Sequence, residues 1–245
     1  IYTEWLWFGT LGFQSVYTKI LGTRVLLFII AFVLFAALFA GNILIASRLS
    51  PGGAASDTTQ PLLPFLRRVS RSTTIALTVF FSLMFGLAAQ ANWELVLRFM
   101  HGQPFGAADP VFFRDAGFYV FTLPFLSFIR GWLLTAVIFS FLAAVAVYAI
   151  SYTSQRKAFD NSRAVLVHAG VLVIVIAALA AMSYWLGIWE LVFSYRGAVF
   201  GAGYTDLTAQ VPAQWILLFA TLLLGALVLI ALIRRRIRWA AYGVG

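Results

Sequence analysis

Five apolar runs, each without Asp, Glu, Lys or Arg through its middle, constrain the fold of this chain more than any other feature. About 20 apolar residues in a helix cross the roughly 30 Å hydrocarbon core of a bilayer. A single segment in that core must satisfy its own backbone N–H and C=O groups, so it must be helical. The chain is therefore predicted to be all-α, a polytopic transmembrane helical bundle in one domain (1–245). Its spans are residues 25–46, 73–93, 131–152, 164–185 and 215–233, with the start of a further span near 239–245.

The composition also indicates a protein that is surrounded by lipid and not by water. Hydrophobic residues make up 62% of the chain and charged residues 10%, whereas a soluble domain of this length covers its surface with many more charges. The net charge of +9 does not predict nucleic-acid binding, because the basic residues cluster between the apolar runs. The predicted partners are the lipid bilayer and other membrane protein subunits.

The loops alternate in charge, which predicts their sides of the membrane. Basic residues dominate the segments 47–72, 153–163 and 234–238, whereas acidic and basic residues balance in 1–22, 94–130 and 186–214. Under the positive-inside rule the first group is cytoplasmic and the second group is outside. We expect a multi-pass protein of the bacterial plasma membrane, with one further spanning helix upstream of residue 1.

The second outer loop carries dense turn chemistry and many aromatic residues. Gly102, Pro104, Gly106 and Asp109-Pro110 favour turns, and seven aromatic rings follow between Phe112 and Phe128. Such rings are typical of the aromatic belt at a membrane interface. Pro124 is predicted to prevent one continuous helix through this stretch, because proline removes a helix hydrogen bond.

An internal repeat relates two of the outer loops. Trp93-Glu94-Leu95-Val96 is followed by Phe105-Gly106-Ala107 and Asp109, and Trp189-Glu190-Leu191-Val192 is followed by Phe200-Gly201-Ala202 and Asp206. The repeat predicts duplicated helical hairpins with aromatic outer loops. Either the motif is a topological anchor used twice, or its side chains form a shared outward-facing interaction site. The candidate residues of that site are Trp93, Glu94, Asp109, Trp189, Glu190 and Asp206.

Motifs for catalysis, metals or cofactors are not found. The chain has no Cys, no H-E-x-x-H and no G-x-S-x-G. His101 and His168 are predicted to lie on opposite sides of the membrane, which excludes a haem held by both of them. The sequence therefore predicts no enzyme, no cofactor and no catalytic or metal-ligating residue in this segment.

Several longer strings resemble one protein family. Gly102-Gln103-Pro104-Phe105-Gly106, the segment from Phe118 to Phe125, and Tyr204-Thr205-Asp206 are similar to the membrane part of Uncharacterised Protein Family 0182 (UPF0182). The resemblance covers nearly the whole chain. It implies a large bacterial protein with about seven N-terminal membrane helices and a big extracytoplasmic region. This chain then corresponds to the second through sixth helices and the start of the seventh, and the resemblance assigns no catalytic residue.

Two functional hypotheses follow. The first is a structural or interaction subunit, a membrane bundle that anchors an extracytoplasmic domain or joins a larger complex. The alternative is a cell-envelope transport or lipid-handling protein with a path between the helical repeats. The first is favoured because ion-coupled transporters keep ionisable residues at membrane depth, and the five predicted spans carry none mid-span.

Overall fold

The structure, a computed structural model, describes residues 2–50, 63–154, 163–195 and 200–234. Within these ranges the chain is helical and contains no strand, only a single bridge between Ala108 and Asp115. The prediction of an all-α helical bundle is confirmed. The helices are α1 (Tyr2–Thr10), α2 (Gln14–Leu49), α3 (Leu63–Ala91), α4 (Trp93–Met100), α5 (Leu123–Ser154), α6 (Arg163–Glu190) and α7 (Val211–Arg234).

Five of these helices are long and apolar enough to cross a membrane. The apolar segments in the described ranges are Gln14–Leu49, Arg71–Ala91, Phe118–Tyr152, Arg163–Phe193 and Asp206–Arg234. They overlap the five runs seen in the sequence; Arg71–Ala91 ends two residues before the run 73–93 does, and the others contain their runs completely. The largest extension precedes α5, where helical structure reaches back to Phe118 and places Arg130 within the helix.

The expectation for Pro124 was wrong, and a π-helical turn explains why. Residues Phe118–Thr122 form this turn, which continues directly into α5, and the N–H of Leu123 donates to the carbonyl of Phe118, five residues earlier. A π turn leaves one carbonyl without a helical donor, so the N–H that Pro124 lacks is not missed. Proline therefore follows the turn without breaking the helix.

The same device recurs before α7. Asp206–Gln210 form a second π turn, the N–H of Val211 donates to the carbonyl of Asp206, and Pro212 comes next. Both loops of the internal repeat thus enter their following helix through a π turn with proline two residues after it. This is structural support for the repeat that the short sequence strings did not contain.

Helix α2 packs against both α3 and α5. Phe35 and Phe39 of α2 are buried in an aromatic cluster with Phe81 and Phe85 of α3 and with Trp132 of α5. The indole Nε1 of Trp132 donates to the carbonyl of Phe85 across 3.2 Å. The second and third predicted spans therefore meet mainly through large aromatic side chains, beside α2.

Helix α5 also packs against α6, and α6 packs against α7. Small residues allow the last pair to approach closely: a Cβ added at Gly225 of α7 would lie 3.4 Å from the Cβ of Ala177 in α6. Close approach of backbones is how membrane helices associate without a hydrophobic driving force.

The bundle has two ends. We call the end that carries segments 92–117, 191–195 and 200–205 the aromatic end. The start of α2 lies there too, because Lys19 Nζ is 3.0 Å from Nε2 of His101, which follows α4.

Candidate interaction site at the aromatic end of the bundle

One carboxylate organises the loop between α4 and α5. The Asp115 oxygens accept hydrogen bonds from the backbone N–H groups of Phe105 (3.0 Å), Gly106 (2.8 Å) and Gly117 (2.7 Å). These bonds, led by the one from Phe105, hold the pKa of the Asp115 carboxyl below its ordinary value, because they stabilise the charged form. The loop is therefore a folded unit and not a loose connection.

Glycine is required at two places in this loop. Gly106 has a φ of 70°, a left-handed conformation that side chains disfavour. A Cβ at Gly117 would lie 2.7 Å from the carbonyl oxygen of Gln103, so any larger residue at position 117 would clash with the loop backbone. Gly201, the repeat equivalent of Gly106, also has a positive φ, of 120°.

Asp109 closes the next turn and fastens it to the helix. Its Oδ2 accepts the backbone N–H of Phe112 at 2.6 Å and the hydroxyl of Tyr119 at 3.2 Å. Tyr119 is buried at the start of the helical segment that becomes α5. Phe113, the last residue of this turn, has a φ of 56° and a side chain that is 80% exposed.

Trp189 provides the surface on which this loop rests. Its indole ring packs edge-on against Phe112 and Phe118, with ring centroids 5.4 and 5.9 Å apart, and lies near Trp185. The Arg114 guanidinium lies 5.0 Å from the Trp189 ring centroid and 5.4 Å from that of Phe118. A cation over two rings adds electrostatic attraction to the packing. We call this group the aromatic dock: Phe112, Arg114, Phe118, Trp185 and Trp189.

The structure separates the six predicted site residues into three groups. Asp109 and Trp189 meet through Phe112, and Glu190 follows Trp189 but accepts a hydrogen bond from Ser127 Oγ of α5 at 2.6 Å. Within the described ranges, no hydrogen bond, ion pair or ring contact joins these residues to Trp93 or Glu94.

Trp93 and Glu94 have other partners. The guanidinium of Arg24 in α2 lies 5.0 Å from the Trp93 ring centroid, and Glu94 pairs with Arg98 one helical turn away. Asp206 forms the third group: it is buried at the start of the π turn before α7, and its side chain accepts the backbone N–H of Gly203 at 3.0 Å.

Sequence analysis missed Asp115, Arg114 and Tyr119, which do more of the loop's structural work than the glutamates. The available signal was local: an Asp two residues before a Gly in a stretch rich in turn residues is typical of a turn in which the carboxylate accepts a backbone N–H. The cation over the Trp189 ring had no local signal, because Arg114 lies in the loop between α4 and α5 whereas Trp189 lies near the end of α6.

A second polar group lies toward the opposite end of the bundle and joins three helices. His168 of α6 has Nε2 2.9 Å from Oδ1 of Asn42 in α2 and Nδ1 2.8 Å from the hydroxyl of Tyr148 in α5. With the amide oxygen as acceptor, Nε2 carries the proton and Nδ1 accepts from Tyr148. We call these three residues the histidine clasp.

The fold and the loops define a class of protein: an all-α bundle whose five long helices are apolar enough to span a membrane, with folded aromatic loops at one end. The family model described as an uncharacterised protein family (UPF0182) matches residues 1–245. The chain belongs to this family, as its loop motifs predicted.

Curated relatives extend well beyond this chain. A UPF0182 protein of Mycobacterium marinum is 35% identical over 253 residues, and one of Mycolicibacterium paratuberculosis is 34% identical over 250 residues. In both, the alignment covers 99% of this chain and 25% of the relative, so the chain spans about a quarter of their length. No solved structure matches the chain.

Proposed function

We propose that this chain is a structural and interaction module of a multi-pass protein in the bacterial plasma membrane. Its aromatic end faces outward and anchors a protein domain outside the membrane. The positive-inside pattern of the loops supports this orientation. The curated relatives support the presence of a further domain, because the region similar to this chain covers only 25% of their length.

The conformation of Phe113 is the observation that carries the proposal. A bulky residue at a φ of 56° pays about 1–3 kcal/mol of backbone strain. The residue is nevertheless 80% exposed, so its side chain gains little from packing against the described part of the chain. A strained, exposed ring on a rigid loop is explained when a partner covers it, since aromatic residues dominate the energetics of protein interfaces.

The folded loop beneath Phe113 supports the same conclusion. Asp115 and Asp109 fix the loop backbone, and the aromatic dock fixes the loop against α6. A preorganised surface loses less entropy when it binds. A loop that only connected two spans would not need this degree of order.

Photo-crosslinking tests the proposal directly. We would place a photoreactive phenylalanine at position 113 of the full-length protein in its own membrane, and at Ile216 of α7 as a control. Ile216 is 68% exposed on an apolar helix and is expected to crosslink to lipid. Position 113 is expected to crosslink to polypeptide outside residues 1–245. Crosslinks from position 113 to lipid alone would contradict the proposal.

A further inference from the structure

The histidine clasp connects two pairs of helices. Helix α2 packs against α3, α6 packs against α7, and α5 packs against both α2 and α6. Direct contact between α2 and α6 is slight by comparison, yet the hydrogen bond between Asn42 and His168 crosses from one to the other. The clasp therefore fastens the α2–α3 pair to the α6–α7 pair, with Tyr148 of α5 as its third member.

The hydrogen bonds of the clasp select a neutral imidazole. The side-chain amide N–H of Asn42 donates to the carbonyl of Leu38 at 2.7 Å, so its Oδ1 faces His168 and accepts from Nε2–H. A neutral ring that carries its proton on Nε2 has a lone pair on Nδ1, and this lone pair accepts from the hydroxyl of Tyr148. All three side chains are then paired.

A proton added to Nδ1 disrupts this arrangement. Nδ1–H would face the Tyr148 hydroxyl, which would have to accept instead of donate and to turn its own proton elsewhere. Tyr148 is 3% exposed, and in the described part of the chain its hydroxyl bonds only His168. The closed clasp therefore offers the turned hydroxyl proton no acceptor among the described residues.

The charge of an imidazolium would also lack a counter-charge. The acids of the described ranges all lie at the aromatic end. We call the opposite end the arginine-rich end, and its described ionisable side chains, besides His168, are Arg48 of α2, Arg71 of α3, Tyr148 and Tyr152 of α5, Arg163 of α6 and Arg234 of α7. A buried cation without a counter-charge is costly, and the arginines oppose a further positive charge.

A proton can reach His168 from the arginine-rich end. His168 follows Arg163, the first residue of α6, by five positions, which is about 7.5 Å along the helix, and it is only partly buried. Separation of α2 from α6 would bring the ring into contact with water, which solvates an imidazolium. Opening of the clasp and protonation of the ring therefore favour each other.

We propose that the histidine clasp is a pH-sensitive switch between α2 and α6 at the arginine-rich end of the bundle. Neutral His168 holds Asn42 and Tyr148 and keeps the two helices together. Protonation at Nδ1 removes the bond from Tyr148, and the charged ring turns to water as α2 and α6 separate. Because the closed form holds the neutral ring, its stability is complete at high pH and declines as the pH falls. Histidine suits this role because its charge changes near physiological pH.

The distance between spin labels on the two helices tests the switch. Ser47→Cys on α2 and Ala164→Cys on α6 place labels at exposed positions of the arginine-rich end, in full-length protein freed of other cysteines and held in lipid nanodiscs. Pulsed electron paramagnetic resonance is recorded from about pH 8 to about pH 5, which brackets the titration range of histidine. We expect one short distance at high pH and a second, longer population that grows as the pH falls. A distribution that does not change with pH would overturn the proposal.

Two glutamine variants assign the transition to one histidine. His168→Gln cannot titrate, but glutamine offers one amide donor and one carbonyl acceptor, as the neutral imidazole does, so the labels are expected to remain at the short distance at every pH. His101→Gln removes the other histidine of this chain, which contacts Lys19 at the aromatic end, and is expected to leave the wild-type profile unchanged. A transition that persists in His168→Gln, or one that disappears in His101→Gln, would overturn the proposal.

Tyr148→Phe gives a result that a purely structural clasp would not produce. The variant lacks the hydroxyl that donates to the neutral ring, so less acid is needed to protonate His168. We expect the midpoint of the transition to rise by about 0.5–1 pH unit, which corresponds to one hydrogen bond. If His168→Gln is open at every pH because glutamine fits the clasp poorly, this midpoint decides: an upward shift supports the switch, and an unchanged midpoint overturns it.

Discussion

At the scale of single residues, the acids of the aromatic end divide by what their oxygens bind. Glu94 pairs with an exposed arginine on its own helix, a type of contact worth about 0.3–0.5 kcal/mol. Asp115 and Asp109 accept backbone N–H groups across the turns of a loop. The aspartates therefore determine local structure, although the repeat motif drew attention to the glutamates.

The substitution Asp115→Asn tests this division. The amide can accept at one oxygen, but its NH₂ group then meets one of the N–H groups that the carboxylate accepts, so the loop loses hydrogen bonds and gains a repulsion. We expect amide hydrogen exchange at Phe105, Gly106 and Gly117 to accelerate, and trypsin to cleave faster after Arg114. The matched control is Glu94→Gln, which removes an equal charge and no backbone bond. Equal acceleration in both variants would contradict the role given to Asp115.

The lowered pKa of Asp115 also predicts a pH dependence. The folded loop holds this carboxyl in its charged form, so its contribution is complete above the ordinary pKa of 3.8. That contribution declines as the pH falls below 3.8 toward the lower, folded value. Exchange protection of the Gly106 amide, measured from pH 6 downward, should persist to about pH 4 and then decrease. Asp115→Asn should show no such decrease; the same profile in both proteins would assign the transition to another group.

At the scale of helices, the sequence determined where apolar structure lies but not how each helix begins. The runs 25–46, 164–185 and 215–233 fall within observed helices, and the run 73–93 extends two residues past the end of α3, because a segment buried in hydrocarbon must be apolar in composition. The predicted start of the third span, residue 131, lies after Leu123, where α5 begins, and after Phe118, where the preceding π turn begins. Pro124 normally indicates a break, and the π turn that accommodates it is not visible in a pattern of apolar residues.

The histidine clasp shows the same limit for contacts between helices. Asn42, Tyr148 and His168 are far apart in the sequence, and each alone is an ordinary polar residue in an apolar helix. Their hydrogen bonds arise because α2, α5 and α6 meet at one level. These contacts between distant residues cannot be predicted from the pattern of a single sequence.

A double-mutant cycle measures the clasp. Asn42→Leu and His168→Leu each leave the other side chain without its partner, and we expect each to lower the free energy of unfolding by about 1–2 kcal/mol. The double variant should cost less than the sum, because no unpaired group remains from that bond. Unfolding in SDS–detergent mixtures supplies the values. Thr221→Val serves as a control, since the Thr221 hydroxyl bonds only its own helix; strict additivity would mean that Asn42 and His168 do not interact.

At the scale of the whole molecule, family membership and fold class were both available from sequence, for different reasons. The fold class follows from the solvent that five apolar runs require, and the family follows from the strings in the loops. Neither the fold class nor the family membership implies the single outward-facing site that the repeat suggested. The repeat placed Trp93 and Trp189 in equivalent positions, but one meets Arg24 of α2 and the other receives a whole loop, because the two repeats have different neighbours.

The orientation of the molecule is open to a clean experiment, because this chain contains no cysteine. Phe113→Cys and Tyr204→Cys place single thiols at residues that are 80% and 84% exposed at the aromatic end. Ser72→Cys places one at the opposite end, at the start of the apolar segment of α3. The loops at that end carry the excess of arginine, which positive-inside orientation keeps in the cytoplasm.

A membrane-impermeant maleimide added to intact cells should therefore label positions 113 and 204 and should label position 72 only after lysis. The reverse pattern would invert the bundle, and the aromatic loops could then not hold a domain outside the membrane. Labelling of all three positions in intact cells would mean that at least one long helix between them does not cross the bilayer. Because α3 lies between positions 72 and 113, and α5 and α6 lie between positions 113 and 204, the three thiols together test the sidedness of the bundle and whether the crossings between each pair are odd or even in number.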